Sequence, residues 1–179
     1  MIRLCSVLVA AALLAGCANS GTGNVPPKTV HSVDLKRYQG TWYEQARLPM
    51  RFQKDCVKSE AKYTLQDDGS VDVLNSCVTA QGELQQAHGK AVAQVPGETD
   101  KLWVNFDNWF SNLLPGLTKG DYWVLYLDKD YQSVLVGTPN HKYLWLMTRN
   151  EKITQEQRTE LLKQARSHGY ETAELIWRQ

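Results

Sequence analysis

The chain of 179 residues is short of the groupings that announce chemistry. Its histidines stand at positions 31, 88, 141 and 168, with no HExxH, no CxxC and no pair four apart, so no metal site is expected. There is no G-x-S-x-G elbow and no glycine-rich phosphate loop, which leaves serine hydrolases and nucleotide enzymes without their parts, and no cofactor is expected. An excess of one charge is also missing. Lys and Arg number 20 against 19 for Asp and Glu, so there is no basic field for nucleic acid. The length fits one domain with a sizeable core, and the composition excludes a collagen-like, disordered or multi-span membrane chain. The apolar run from Leu4 to Leu14 is too short to cross a bilayer.

That run belongs to the stretch MIRLCSVLVAAALLAGC, with Arg3 ahead of it and small residues at its end, the layout of a secretory signal peptide. Its ending, Leu14 to Cys17, resembles a bacterial lipobox. There the cysteine thiol takes a diacylglycerol and becomes the first residue after cleavage; the alternative is an ordinary signal peptide with a chance cysteine. Lipidated Cys17 would anchor the protein to a membrane. Ala18 stands where an aspartate would indicate inner-membrane retention, so the resemblance implies the periplasmic face of the outer membrane. Residues 18–32 then read as a tether, polar and proline-containing, leaving 33–179 as the folded domain. With Cys5 removed and Cys17 acylated, Cys56 and Cys77 remain. They form one disulfide or stay as two free thiols.

From residue 41 the pattern is short strands between turn signals. SEAKYTL and SVDVLNS flank the turn Gln66–Gly69 and predict a hairpin. With TWYEQARL, the stretches at 83–95, 101–106, 121–128, 133–137 and 142–149 bring the count to eight strands, an all-β up-and-down barrel or sandwich. After Asn150 the period changes. Thr154 with Gln157 forms a capping box, Leu161, Leu162 and Ala165 make an apolar stripe, and Gly169 is placed to end one C-terminal α-helix. A short final strand is predicted over 173–178.

Gly40, Thr41 and Trp42 on the first strand, Gly120, Asp121 and Tyr122 opening a later one, and Arg149 ending the last match in order and spacing the three short motifs of the lipocalin family. The chain resembles bacterial outer-membrane lipoprotein lipocalins, and is similar to plant temperature-induced lipocalins and apolipoprotein D, from about Val33 to Trp177. The resemblance implies an eight-stranded antiparallel barrel with the helix packed outside. It also implies that Gly40 lets the chain cross the closed end, that Trp42 plugs that end from inside, and that Arg149 lies over the indole. Gly40, Trp42, Asp121 and Arg149 are thus expected to be structural.

Strand alternation extends this inward. If Trp42 points in, so do Glu44 and Ala46 unless a bulge intervenes; if Arg149 points in, so do Met147, Trp145 and Tyr143. Val57, Ser59, Ala61, Tyr63 and Leu65 form another inward row, as do Leu102, Val104 and Phe106, and Tyr122, Val124 and Tyr126 are the choice on their strand. The ligand-binding expectation is Glu44, Ala46, Tyr63, Leu102, Val104, Phe106, Tyr122, Tyr126, Trp145 and Met147, with Ala87, Gly89, Ala91 and Ala93 leaving room. Such a wall suits an acyl chain with its headgroup near the mouth, a fatty acid or lysophospholipid. The alternative is a barrel filled solid by its own side chains. Glu44 inside would have to be paired, neutralised or hydrated, or a bulge turns it out.

The stretch 108–120 is unusually apolar for a connection, with Trp109, Phe110, Leu113, Leu114 and Leu117. Plant relatives carry a similar loop there. It either dips into a membrane or lids the cavity, or it packs on its own barrel or on a second copy, making a homodimer. The function expected is a lipid-anchored lipid carrier, not an enzyme, serving storage or transport in the cell envelope. The alternatives are a lipid-modifying enzyme using Glu44 or a reduced cysteine, or a structural envelope protein without ligand.

Overall fold

The computed structural model describes residues 25–107 and 119–179. Eight antiparallel strands follow one another: β1 (Gly40–Arg47), β2 (Cys56–Leu65), β3 (Val71–Thr79), β4 (Leu84–Ala93), β5 (Lys101–Phe106), β6 (Gly120–Leu127), β7 (Ser133–Gly137) and β8 (Leu144–Thr148). Each pairs with the next, and β1 pairs with both β2 and β8, so the sheet closes on itself. Closure leaves no backbone edge unpaired, which is how an antiparallel sheet this long avoids edge-to-edge association. The hairpin turn predicted between β2 and β3 is formed: Gln66 N–H donates to the Ser70 carbonyl, and Gly69 takes the positive φ of 80° that the turn needs.

Two apolar clusters divide the molecule. One fills the inside of the barrel around Trp42, Val73, Leu102, Val104 and Met147. The other lies outside, where α2 (Gln155–Ser167) presses Leu161 and Ala165 onto Leu125, Leu135, Leu144 and Leu146. The helix starts at the predicted capping box between Thr154 and Gln157, and Gly169, at φ 83°, follows its end. The chain then returns through Tyr170, whose hydroxyl accepts from Thr138 N–H and donates to the Thr138 carbonyl. Only glycine fits at 137, because a Cβ there would collide with that phenol. The last segment forms β9 (Ile176–Trp177) against Ala46 and Arg47 of β1, shorter than predicted.

The closed end is built around Trp42. A short helix, α1 (Leu35–Tyr38), crosses beneath the barrel, capped by the Asp34 carboxylate. Gly40, at φ 97°, turns the chain up into β1. Trp42 is fully buried, and its indole N–H donates to the Tyr38 carbonyl at 2.8 Å. The Arg149 guanidinium lies 4.0 Å from the centre of the Trp42 ring. It donates to the carbonyls of Thr41 (3.0 Å), Arg37 (2.8 Å), Tyr38 (3.0 Å) and Tyr131 (3.2 Å). A planar cation with five N–H groups can stack and bridge four carbonyls together; an ammonium cannot.

The described end of the segment 18–32 is joined to the barrel. Pro27 is buried, Thr29 donates to Asp100 at 2.6 Å, and Val30 N–H donates to the Val124 carbonyl at 2.9 Å. Free backbone donors and a small hydroxyl meet unpaired partners at the barrel base, so the segment is stitched there. Replacing Arg149 by Lys keeps the charge but loses most of the fork, and should cost about 1–3 kcal/mol in urea denaturation. Trp42→Ala should cost about 3–5 kcal/mol. If both variants unfold within about 0.5 kcal/mol of the parent, the plug does not stabilise the fold.

Candidate functional site

Above the plug the barrel holds a cavity of about 230 Å³ that reaches from Tyr38 toward Gln86 and Asn140 at the other end. Glu44, Tyr63, Leu102, Val104, Phe106, Tyr122, Trp145 and Met147 all line it, so the structure brings eight of the ten expected residues together. Ala87 and Ala91 line it too, while the missing side chain of Gly89 gives space to the Phe106 ring, which a Cβ would meet at 2.8 Å.

Ala46 and Tyr126 are corrections. The pairing of β1 with β8 slips between Glu44 and Ala46, and that of β6 with β7 slips between Val124 and Tyr126. Each slip is a β-bulge, which resets the face of every residue after it. Ala46 therefore joins the outer cluster, fully buried, and Tyr126 packs against the same cluster. A third bulge, between Cys56 and Lys58, puts Cys56 on the cavity wall in place of Val57.

The bulge after Glu44 has a second effect. It turns Arg47 inward, and the buried Glu44 carboxylate is paired with it at 2.9 Å. The other carboxylate oxygen accepts from the Gln53 amide at 2.9 Å, and Gln53 in turn accepts from the Trp145 indole at 3.0 Å. Arg47 also donates to the carbonyls of Gln53 (2.6 Å) and Cys56 (3.0 Å). Of the open readings of Glu44, the paired one holds. Burial pushes its carboxyl above the ordinary value of 4.5, while Arg47 and Gln53 pull it down. Arg47 and Gln53 escaped sequence reasoning. Alternation puts Arg47 outside, and Gln53 sits in a short 3-10 turn, Arg51–Gln53, that carries no periodic signal.

At the floor three phenols meet. Tyr38 and Tyr122 hydroxyls are 2.6 Å apart, and Tyr122 donates to Tyr63 at 3.0 Å. Burial pushes the Tyr63 phenol up to about 12 and holds Tyr38 and Tyr122 well above 10, so all three keep their protons. Cys56 and Cys77 are joined in a disulfide with Cα atoms 5.6 Å apart. Cys77 pairs directly with Ser59, and the bulge draws Cys56 within bridging distance. Asp121 accepts from the Gln94 amide at 2.9 Å, a tie between β6 and the end of β4. Cys17, Trp109, Phe110, Leu113, Leu114 and Leu117 lie outside the described residues.

The family profile for a lipocalin-like domain matches residues 33–179. The chain belongs to the lipocalin family. It is 34% identical over 181 residues to the outer membrane lipoprotein Blc of Citrobacter freundii, covering 99% of this chain and 96% of that one. It is 38% identical to temperature-induced lipocalin-1 of Arabidopsis thaliana, covering 83% and 80%. Among solved structures, insecticyanin from the tobacco hornworm Manduca sexta superposes with a TM-score of 0.66 at 19% identity, covering 87% of this chain and 84% of that one, a likeness of fold. Lipocalins are generally not enzymes and bind small hydrophobic ligands, and a cavity of this kind suits such ligands.

In this lipocalin Glu44 and Arg47 form one buried unit. Glu44→Gln should cost about 3–5 kcal/mol by leaving Arg47 unpaired, and adding Arg47→Met should recover most of it. The Glu44 carboxyl binds its proton more tightly folded than unfolded. Its contribution to stability is therefore lost as pH rises from 4.5 through the raised folded value. Urea titrations across that window should show this slope in the parent and not in the double variant. A double variant as unstable as Glu44→Gln would sink the pairing argument.

Proposed function

We propose that this lipocalin is a lipid-anchored carrier that holds a fatty acid or a lysophospholipid in its barrel, for storage or transport in the cell envelope. The observation that carries the reading is the cavity itself. It is plugged at one end by Trp42 and walled by Ala61, Val73, Leu102, Val104 and Met147, with amides such as Gln86 and Asn140 toward the other end. An acyl chain fits such an arrangement with its headgroup toward the polar end. The ending Leu14 to Cys17, with Ala18 after it, supports anchoring through acylated Cys17 at the periplasmic face of the outer membrane. The names of the bacterial relatives, outer membrane lipoproteins, support the same placement.

Among the described residues, the groups that the catalytic alternative would use are engaged elsewhere. The Cys56 and Cys77 sulfurs are spent on their bridge, and Glu44 is held by Arg47 and Gln53.

Delipidated protein titrated with palmitate and with lysophosphatidylcholine should show saturable, one-site changes in tryptophan fluorescence. Trp145→Ala should weaken both about tenfold, or 1.4 kcal/mol, with its circular dichroism unchanged. Absence of saturable binding for either lipid would refute the carrier. Separately, Cys17→Ser should move the protein from the membrane to the soluble fraction; a variant that still sediments with the outer membrane would refute the acyl anchor.

A further inference from the structure

The hydrogen bonds at the cavity floor do not close. Each phenol owns one proton. Tyr122 spends its proton on Tyr63, so the proton in the 2.6 Å contact between Tyr38 and Tyr122 comes from Tyr38. The chain therefore runs from Tyr38 to Tyr122 to Tyr63 and leaves the Tyr63 proton over. No acceptor for that proton occurs among the described residues. Tyr63 is only 7% exposed, it lines the cavity, and its neighbours on the wall, Ala61, Val73, Leu102, Val104 and Met147, are apolar, while the nearby wall amide of Asn75, opposite Ala61, makes no hydrogen bond to it. A buried donor without an acceptor costs free energy that any well-placed oxygen would recover.

We infer that Tyr63 is a donor for the buried end of the ligand, which makes the floor a subsite for elongated apolar molecules whose far end carries a neutral oxygen. This rests on the acyl-chain reading of the cavity. A plain methyl end leaves the Tyr63 donor unpaired. A carboxylate end would be a charge taken out of water against one neutral donor, which cannot compensate it. A hydroxyl, ketone, aldehyde or ester oxygen satisfies the donor without bringing a charge, whether it comes from a hydroxylated chain or from an oxidised one. The wall also fixes the orientation. The end that reaches Tyr63 is the oxygenated tail, and the headgroup stays near Gln86 and Asn140.

The test is a competition on the full-length protein between palmitic acid and its ω-hydroxy derivative, repeated with the ω-methyl ester of the matching diacid. The parent should bind both oxygenated chains at least as tightly as palmitic acid. The combined variant Tyr38→Phe, Tyr63→Phe, Tyr122→Phe keeps the shape of the floor and removes its protons. There the oxygenated chains should fall to about tenfold weaker than palmitic acid. Tyr63→Phe alone should keep the parent's ranking, because it frees the Tyr122 proton to take over; this expectation follows only from the direction of the chain. Should the combined variant not fold, the pair Tyr63→Phe with Tyr122→Phe takes its place, since it removes both protons that reach the ligand in this scheme, and the same loss is expected. A parent that binds palmitic acid but takes the oxygenated chains tenfold more weakly overturns the subsite and leaves the lipid carrier standing. Loss of palmitic acid itself in the combined variant would mean that the phenols hold the headgroup, and overturns the proposed orientation. No binding of any chain overturns both readings.

Discussion

Arg149 and Trp42 hold one end of a closed sheet shut, and the cavity exists because they do. A barrel of eight strands has an interior wide enough for side chains or for one small ligand, and which of these it contains depends on where the large side chains are spent. Here the largest is spent at the base. Trp42 is stacked under a guanidinium that ties α1, the start of β1 and the turn before β7 together through their carbonyls. With the base sealed, the rows above it can be lined by alanine, valine and leucine without the barrel collapsing, and space remains. Gly40 belongs to the same device, since its positive φ lets the chain pass beneath the guanidinium, 3.3 Å from where a side chain would begin.

The polar groups inside the barrel sit in two layers with different bookkeeping. Toward the β1–β2 connection, Glu44, Arg47, Gln53 and Trp145 form a charge pair closed by an amide and an indole. A buried pair of this kind adds little net stability, yet either partner alone would be costly, so its members hold one another in place. At the floor the phenol chain is directional and ends in an unspent donor. Between these layers the wall is apolar apart from Asn75. The upper network is held by a charge pair, although the buried Arg47 Nε has no hydrogen-bond partner among the described residues, whereas the floor is held by neutral phenols alone, a difference that composition alone would never suggest.

The outer cluster explains why the helix belongs to the fold. The strands of the inside wall carry apolar residues on their other face as well, notably Leu125, Leu135, Leu144 and Leu146, and α2 covers them with Leu161 and Ala165. Tyr170 then locks the helix end to β7 through Thr138, with Gly137 making room for it. The inner and outer clusters share the same strands, so the plug, the wall and the helix stabilise one another.

The order of strands, the turn at Gln66–Gly69, the capping box at Thr154 and the roles of Gly40, Trp42 and Arg149 were legible in the sequence, because each follows from local spacing or from a motif of three residues. So was most of the wall, since side chains alternate along a strand. What tertiary structure alone decided are the places where alternation slips. The bulges after Glu44, at Cys56 and before Tyr126 insert one residue each. They send Ala46 and Tyr126 outside, bring Arg47 in to meet Glu44, and draw Cys56 to Cys77. A bulge is set by the closure of the whole sheet, which must bend and stagger to meet itself, and no window of a few residues carries that requirement. For the same reason the sequence could name Tyr63 and Tyr122 as wall residues but not the direction in which their protons run. That direction depends on three phenols from distant parts of the chain arriving at one point.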